Sequence, residues 1–237
     1  MSTTKTTVKP RVSFYTRFVK RFFDIFLCTL ALVALSPLLL FVSVLELICH
    51  GRPIFYVTKR PGLNGKIIKL FKFRSMTNKK GEDGLLLPEE QRLTRFGYYL
   101  RKLSIDELPE LISIIKGDMS IIGPRPLLVE YLDLYSPRHM MRHAVRPGLA
   151  CPKVFKKGEP HVHTGTWREQ FESDIYYVEH VSFLYDLKVF LAVIQEIFAH
   201  DEYRAADTRV PFDGTNLDET RSKNEVENAV RYNSVAR

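Results

Sequence analysis

A long apolar segment without charges constrains this chain more than any other feature of its sequence. Residues 25–45 read IFLCTLALVALSPLLLFVSVL. About 20 apolar residues suffice to cross the hydrocarbon core of a bilayer as one helix. A cleaved signal peptide fits poorly, because the segment is too long for the apolar region of such a peptide and no small-residue cleavage site follows it. The sequence therefore predicts a protein held at a membrane.

The middle of this segment carries a pair of residues that disturbs a helix, Ser36 and Pro37. Pro37 has no N–H to donate to the carbonyl four residues earlier, and its ring displaces that carbonyl, so we expect a kink. In lipid the freed carbonyl needs a partner, and the Ser36 hydroxyl is a local donor.

Basic residues flank the apolar segment on both sides. They are Lys5, Lys9, Arg11, Arg17, Lys20 and Arg21 before it, and Arg52, Lys59, Arg60, Lys66 and Lys69 after it. Because Lys and Arg are enriched on the cytoplasmic side of membrane segments, this pattern favours both ends in the cytoplasm. A helix-break-helix that dips into one leaflet and returns satisfies the pattern. An ordinary transmembrane helix with a proline kink is the alternative.

Length and charge narrow the class of protein further. The chain has 237 residues and a formal net charge of +8. This length predicts one domain with a sizeable core. The excess of Lys and Arg indicates an anionic partner, which could be nucleic acid, an acidic lipid headgroup or a phosphorylated substrate. The sequence shows no zinc-finger or RNA-recognition motif, and the membrane segment disfavours a nucleic-acid binder.

The rest of the sequence predicts a small hairpin and several helices. Residues 54–60 and 66–73 are rich in β-branched and aromatic side chains around a Pro-Gly-Leu-Asn-Gly turn, which predicts a β-hairpin. Helices are predicted over 93–103, 106–116, 167–180 and 183–199. The expected units are a basic N-terminal and membrane segment over 1–50, a catalytic domain over 51–203, and a polar, mostly disordered tail over 204–237.

Two adjacent acids carry the candidate chemistry. Asp106 and Glu107 open a predicted helix, Arg101 lies five residues before them, and Arg125 follows within Gly-Pro-Arg-Pro. A carboxylate can act as a nucleophile toward phosphorus and form an acyl phosphate. Because such an attack brings anions together, the site also needs cations, which Mg²⁺ and arginine forks supply. Acids at a helix start also occur in inert helices, where they stabilise the helix dipole.

The order of several short motifs is similar to a known family. The motifs are Lys20-Arg21-Phe-Phe-Asp24, Ser36-Pro37, Arg60-Pro-Gly-Leu-Asn-Gly65-Lys66, Lys72-Phe-Arg74-Ser-Met76, Leu100-Arg101-Lys-Leu-Ser-Ile-Asp106-Glu107-Leu-Pro109, Lys116-Gly-Asp118-Met-Ser-Ile-Ile-Gly123-Pro-Arg125-Pro126, Arg146-Pro-Gly148 and Asp174-Ile-Tyr-Tyr-Val. Over residues 17–200 the chain resembles the bacterial sugar transferases, the monotopic phosphoglycosyl transferases that initiate bacterial glycan assembly.

The resemblance implies a fold and a location. The fold is α+β and mostly helical: a re-entrant membrane helix broken at Ser36 and Pro37, and a cytoplasmic domain of helices packed around a small β-hairpin. This favours the first of the two membrane topologies. The catalytic domain would lie on the cytoplasmic face of the bacterial inner membrane.

The resemblance also implies a reaction. Asp106 would attack the β-phosphate of a UDP-sugar, release UMP and carry the sugar phosphate until polyprenyl phosphate, expected to be undecaprenyl phosphate, accepts it. Asp106 and Glu107 would hold Mg²⁺, and Glu107 could instead assist the acceptor. The arginines implied to bind phosphate are Arg101 and Arg125, with Arg74 and Arg146 as further contributors to phosphate or nucleotide binding.

Alternatives remain open at this stage. A non-enzymatic basic protein of the membrane surface explains the charge and the apolar segment equally well. Within the enzyme class, a single displacement would need no covalent intermediate. The chain departs from the family pattern after Gly148, where Ala150-Cys151-Pro152 stands. In the stretch that follows, His161 and His163 lack a third ligand, so we expect no metal there.

Overall fold

The apolar segment forms one long helix. The computed structural model describes residues 9–151, 166–198 and 209–219. A π-helical turn, Tyr15–Val19, leads into helix α1, Lys20–Cys49, whose 30 residues correspond to about 45 Å. Its outer surface is strongly apolar, and only 11% of its most apolar window is buried. The side chains of Val33 and Leu40 are 69% and 68% exposed, and a continuous apolar surface of this kind is unfavourable in water. Helix α1 therefore indicates a membrane protein.

The helix continues through the predicted break. Pro37 lies inside α1, and the helical assignment is uninterrupted on both sides of it. The Ser36 hydroxyl donates to the Val33 carbonyl over 2.8 Å. This is the carbonyl that Pro37 leaves without its N–H, so the predicted local donor is confirmed. The re-entrant topology itself stays a prediction.

The remaining elements follow α1 in order along the chain. They are β1 (Phe55–Pro61), a 3₁₀ turn at Leu63–Gly65, β2 (Ile67–Phe73), α2 (Glu89–Arg92), α3 (Arg95–Lys102), a 3₁₀ turn at Ile105–Glu107, α4 (Glu110–Lys116), β3 (Ser120–Ile122), a 3₁₀ turn at Val129–Leu134, α5 (Pro137–Met140), a 3₁₀ turn at Met141–Ala144, β4 (Gly148–Ala150), α6 (Trp167–His180) and α7 (Phe183–Phe198). The predicted hairpin is confirmed as antiparallel β1 and β2, with Phe55 opposite Phe73 and Pro61 opposite Ile67. The two C-terminal helices are also confirmed, within one residue of their predicted ends.

One face of α1 belongs to the core of the domain. Cys28 lies in a buried cluster with side chains of β2 and α4, namely Ile68, Leu70, Leu111 and Ile114. Further along α1, Val42 is buried with Phe73 of β2 and Leu100 of α3. The helix thus lies along the hairpin, and both of its halves pack against the same domain.

Polar contacts fix both ends of α1. Near its start, the Arg21 guanidinium donates to the carbonyls of Ile114 and Ile115 over 2.6 and 2.7 Å. These carbonyls end α4, where a cation also complements the helix dipole. At the other end His50 bonds Glu46 and Thr94 through its two ring nitrogens, both over 2.9 Å.

Two glycines bring two loops together beyond the hairpin. Strands β3 and β4 pair in parallel, with Ser120 opposite Gly148. A Cβ on Gly148 would stand 2.0 Å from the Gly123 nitrogen, and one on Gly123 would stand 2.4 Å from the Arg146 carbonyl oxygen. Only glycine permits this backbone approach. It places the loop that carries Arg125 directly beside the loop that carries Arg146.

The polar C-terminal stretch is partly folded. Within residues 209–219, Phe212 is buried in an aromatic cluster with Tyr131, Trp167 and Phe171. One aromatic side chain thus docks part of the polar stretch on an apolar cluster, and the mostly disordered tail over 204–237 stays a prediction. The rest of the tail lies outside the described residues, as do His161 and His163 with the prediction attached to them.

Candidate active site

Three segments bring charged side chains together beside the hairpin. They are the end of β2 with Lys72, the turn and helix start that carry Asp106, Glu107 and Glu110, and the loop after β3 that carries Arg125. Lys72 Nζ lies 2.6 Å from Glu107 Oε1, and Arg125 reaches the same oxygen at 3.8 Å. The predicted dyad therefore meets two cations from distant parts of the chain.

The acidic dyad lies in a tight turn and not in an α-helix. The sequence predicted a helix over 106–116, but α4 begins only at Glu110. Ser104 takes a left-handed conformation with φ of 54°, and a single 3₁₀ turn follows over Ile105–Glu107. Pro109 lacks the N–H that would join this turn to α4 in one α-helix. The turn separates Asp106 and Glu107, so that each faces different neighbours.

Lys72 is surrounded by acids. Besides Glu107, its Nζ lies 3.4 Å from Glu110 Oε1, a buried oxygen that makes no hydrogen bond within the described residues. Burial acts to lower the pKa of Lys72, but the two glutamates outweigh it and the pKa is raised. Lys72 is therefore a fixed positive charge at the centre of the site.

The carboxyl group of Asp106 is buried, and its pKa is raised. Its side chain is only 9% exposed. Burial raises the pKa of Asp106 to about 6, and the neighbouring charge of Glu107 adds to this, while Lys72 and Arg101 oppose it. At neutral pH the group is ionised, yet it is poorly solvated. Such a carboxylate gains from any cation or electrophile that approaches it.

The two arginines nearest the dyad are held differently. Arg101 donates through Nε to the Ser75 hydroxyl over 2.8 Å, and its guanidinium remains partly exposed. Gly97 makes this contact possible, because a Cβ there would stand 1.8 Å from the Ser75 carbonyl oxygen. The Arg125 side chain is half-exposed between two prolines. Both guanidinium groups are thus placed at the rim of the site.

A buried network fixes the backbone of Arg125. The side chain of Arg142 is fully buried and donates to the Arg125 carbonyl over 2.7 Å. The same guanidinium forms two bonds to Asp174 Oδ2, over 2.6 and 3.0 Å, and a longer one to the Tyr135 hydroxyl. Arg142 and Asp174 therefore tie the Arg125 loop to α6.

The other two predicted arginines bind the backbone. Arg74 donates to the carbonyls of His50 and Pro53, at the junction of α1 and β1. Arg146 donates through Nε to the carbonyl of Gly117 over 2.8 Å. These contacts give both residues structural roles, and their part in phosphate or nucleotide binding stays a prediction.

Lys72 and Glu110 were not singled out from the sequence, although a signal for each existed. Residues 68, 70 and 72 point to one face of a strand, and Ile68 and Leu70 are buried, so Lys72 is a charge on a core-facing position. Glu110 follows Asp106 by four residues, a spacing that often places side chains on one side of the chain.

Acidic oxygens at the site are suited to a magnesium ion. Within the described parts of the chain, no group of three or more His, Cys, Asp or Glu side chains is arranged as a metal cage. Mg²⁺ is commonly held by only one or two carboxylates together with substrate phosphates. Asp106 and Glu107 supply two carboxylates, and the poor solvation of Asp106 favours a nearby cation. The donor set fits such an ion once a diphosphate is present.

Replacing Lys72 by Met is expected to disturb the site measurably. Because Lys72 lowers the pKa of Asp106, its loss raises that pKa further, so acid-side activity should fall at a higher pH than in the wild type. Glu110 also loses its counter-charge, which should cost about 1–2 kcal/mol of stability, less than for a fully buried pair. Lys69→Met, on the exposed face of the same strand, is the matched control. Identical pH profiles and melting temperatures for the two variants would contradict this role.

Comparison with known proteins agrees with the geometry. A family model described as bacterial sugar transferase matches residues 15–200. The chain is 40% identical over 183 residues to an uncharacterized sugar transferase, EpsL, of Bacillus subtilis, covering 77% of this chain and 89% of the relative. It is 37% identical to the exopolysaccharide production protein ExoY of Sinorhizobium fredii, over 69% of this chain and 74% of the relative.

A relative with a more specific description is longer than this chain. It is the UDP-N-acetylgalactosamine-undecaprenyl-phosphate N-acetylgalactosaminephosphotransferase of Aeromonas hydrophila, 35% identical over 185 residues. The match covers 76% of this chain but 44% of that protein. This chain therefore matches less than half the length of that protein.

Proposed function

The chain belongs to the bacterial sugar transferase family, and from this premise we propose that it transfers a sugar-1-phosphate from a UDP-sugar to undecaprenyl phosphate in exopolysaccharide synthesis. The observation that carries the proposal is the buried Asp106 carboxyl beside Lys72 and Arg101, with Arg125 reaching the neighbouring Glu107. A protein that only binds a membrane surface does not need a buried acid next to partly exposed arginines.

The first step is a displacement at phosphorus. A carboxylate oxygen of Asp106 attacks the β-phosphorus of the UDP-sugar and forms an acyl phosphate bond. The bond from this phosphorus to the bridging oxygen breaks, and the electron pair leaves with UMP. Asp106 suits this role because its charge is poorly solvated, which makes attack less costly than from a fully hydrated carboxylate.

The second step returns the carboxylate. A phosphate oxygen of undecaprenyl phosphate attacks the same phosphorus, and the acyl phosphate bond breaks. The product is undecaprenyl diphosphate-sugar, and Asp106 is free again. Two displacements at one phosphorus give a ping-pong cycle, in which UMP leaves before the lipid reacts.

The surrounding groups hold charge in place. Arg101 and Arg125 contact the phosphates from the rim, where guanidinium forks complement phosphate oxygens. Lys72 keeps Glu107 and Glu110 from repelling the incoming anion. Asp106 and Glu107 would hold Mg²⁺ with the diphosphate oxygens, and the ion would neutralise the charge that develops on them.

The packing of α1 supports a monotopic placement. Arg21 near its start and His50 just after its end both bond the catalytic domain. A domain cannot contact both ends of a helix that crosses a bilayer with one end on each side. We infer that α1 enters and leaves the same leaflet, with the domain on the cytoplasmic face, where the flanking lysines and arginines belong.

The decisive experiment measures UMP release by the purified full-length protein. The reaction contains Mg²⁺, undecaprenyl phosphate and one UDP-sugar at a time, including UDP-N-acetylgalactosamine and UDP-glucose. We expect sustained release with one or a few sugars only when the lipid is present. A stoichiometric burst without lipid, with sugar phosphate retained on the protein, supports the covalent step. Lipid-dependent release without any burst or adduct favours a single displacement, and no release with any sugar favours the non-enzymatic alternative.

A further inference from the structure

Arg60 lies on the face of the hairpin that carries Lys72 to the candidate active site. In the antiparallel register Arg60 stands opposite Ile68, and Lys72 follows Ile68 by four residues on β2. Directly opposed residues, and residues an even number apart on one strand, point to the same face of a sheet. Arg60 therefore shares a face with Lys72. On the other face Lys59 stands opposite Lys69, and both are exposed.

The Arg60 side chain is partly buried and has no partner of its own. Among the residues that the structure describes, its guanidinium makes no hydrogen bond and no ion pair. Burial lowers the pKa of Arg60, and the nearby charge of Arg125 lowers it further. The groups that act in the opposite direction lie beyond ion-pair distance, namely Tyr56, Glu130 and Glu110. Because a guanidinium stays charged at neutral pH, a partly desolvated cation is left uncompensated.

The loop of Arg125 is the neighbour of Arg60 on the side of the dyad. Pro61, which follows Arg60 in the chain, lines the same small gap as Arg125. The Arg125 guanidinium in turn lies 3.8 Å from Glu107. Two cations therefore approach the dyad side by side from one edge of the site. Charges that are taken out of water in proteins are normally paired, so this edge is suited to an anion that the chain itself does not provide.

We propose that Arg60 joins Arg125 in binding the phosphate that leaves with UMP. In an in-line displacement the leaving oxygen lies opposite the attacking oxygen of Asp106, so the leaving phosphate needs its own cations away from the carboxylates. Two guanidinium groups can bind one phosphate through several charge-assisted hydrogen bonds. The phosphate would also offset the repulsion between the two arginines. The inference rests on the proposed function, because it assigns a place to one part of the same substrate.

Binding of two ligands that differ only in the phosphate tests the assignment. UMP and uridine are titrated into the full-length protein, wild type and variants, without lipid acceptor. Arg60→Met is expected to weaken UMP binding about tenfold, the effect of one lost charge-assisted hydrogen bond, and to change uridine binding less than twofold. Arg60→Lys keeps the charge but loses the planar fork, so it should recover part of the loss. Lys59→Met removes a positive charge from the exposed face of the same strand and should bind both ligands as the wild type does.

Melting temperatures distinguish a binding residue from a structural one. Burial and the neighbouring Arg125 both disfavour the charged form of Arg60 in the folded protein. Its removal should therefore leave the melting temperature of Arg60→Met unchanged or raise it, as is common where a fold keeps an unfavourable charge for function. A lower melting temperature, with UMP and uridine weakened to the same extent, would assign Arg60 to the fold and overturn the inference.

The remaining outcomes separate this inference from the proposed function. The lipid acceptor is the other source of a phosphate, so the KM for undecaprenyl phosphate is measured in the same variants. If Arg60→Met raises this KM but binds UMP as the wild type does, the assignment to the leaving phosphate is overturned while the transfer reaction stands. The same holds if the wild type transfers sugar phosphate but binds UMP no better than uridine. If it neither prefers UMP nor releases it from any UDP-sugar, the proposed function fails together with the inference.

Discussion

Asp106→Asn is expected to abolish sugar-phosphate transfer while raising the free energy of unfolding at neutral pH. An amide cannot form the acyl phosphate, so UMP release should fall to background. The same change removes a charge that the fold buries at a cost. The pKa of Asp106 is raised from 3.8 to about 6, and about two pKa units correspond to roughly 3 kcal/mol. A catalytic carboxylate that destabilises its own protein is a common compromise at active sites.

The pH dependence of this stability difference provides a second test of the buried charge on Asp106. Below the unfolded pKa near 4, Asp106 is protonated in the folded and unfolded states, so the wild type and the variant should be about equally stable. As the pH rises from about 4 to about 6, the unfolded chain ionises while the folded carboxyl still holds its proton, so the wild type loses stability relative to the variant, and the difference is complete above about pH 6. Denaturant unfolding of both proteins between pH 4 and 8 measures the gap. If the variant were less stable than the wild type at pH 7.5, the prediction that the buried charge of Asp106 destabilises the fold would be wrong.

Breaking the buried pair of Arg142 and Asp174 should have the largest effect on stability. Both side chains are essentially inaccessible, with Nη2 and Oδ2 2.6 Å apart. Removing one partner of such a pair leaves an unpaired buried charge, so Asp174→Leu should cost about 3–5 kcal/mol. The double variant Arg142→Met, Asp174→Leu should recover most of that loss, because well-packed apolar groups often replace a buried pair without penalty.

Activity should not recover with stability in the double variant. The double variant lacks the bond from Arg142 to the Arg125 carbonyl, so the loop should lose its fixed position. We expect the KM for the UDP-sugar to rise about tenfold in the folded double variant, with a smaller change in kcat. Full activity there would show that Arg142 serves stability alone.

A second ion pair between neighbouring segments provides the control. Arg138 and Glu172 are also 2.6 Å apart, but both side chains are about 40% exposed. Exposed pairs contribute roughly 0–1 kcal/mol, so Arg138→Met with Glu172→Leu should change stability little and activity not at all. The two double variants therefore differ in burial while sharing bond length and location.

Local patterns in the sequence determined part of this structure, and distant contacts determined the rest. Alternation and a turn motif predict the hairpin, and helical spacing predicts the last two helices, because these signals lie within a few residues. The role of Lys72 depends on Glu107, 35 residues away, and Arg142 meets Asp174 across 32 residues. The pairing of such residues follows from packing and has no local signal.

The turn at Asp106 shows the same limit on a smaller scale. Acidic residues and Pro109 mark a helix start, but the start lies at Glu110, and the two preceding acids occupy a separate turn. The left-handed Ser104 that permits this turn has no side-chain signature of its own. The motif predicts Asp106 and Glu107 as the candidate dyad, whereas the geometry of the turn that carries them has no local signal.

The contact between α1 and α4 means that the membrane helix and the catalytic domain form one folding unit. Cys28 fills the same core as Ile114, and Arg21 completes the end of the helix that starts at Glu110. Cutting away the apolar helix to obtain a water-soluble enzyme would expose that core and leave the last carbonyls of α4 without their donor. For the same reason, exchanging the apolar helix between relatives would also exchange part of the core of the catalytic domain. A detergent that binds α1 would likewise contact a helix that belongs to this core.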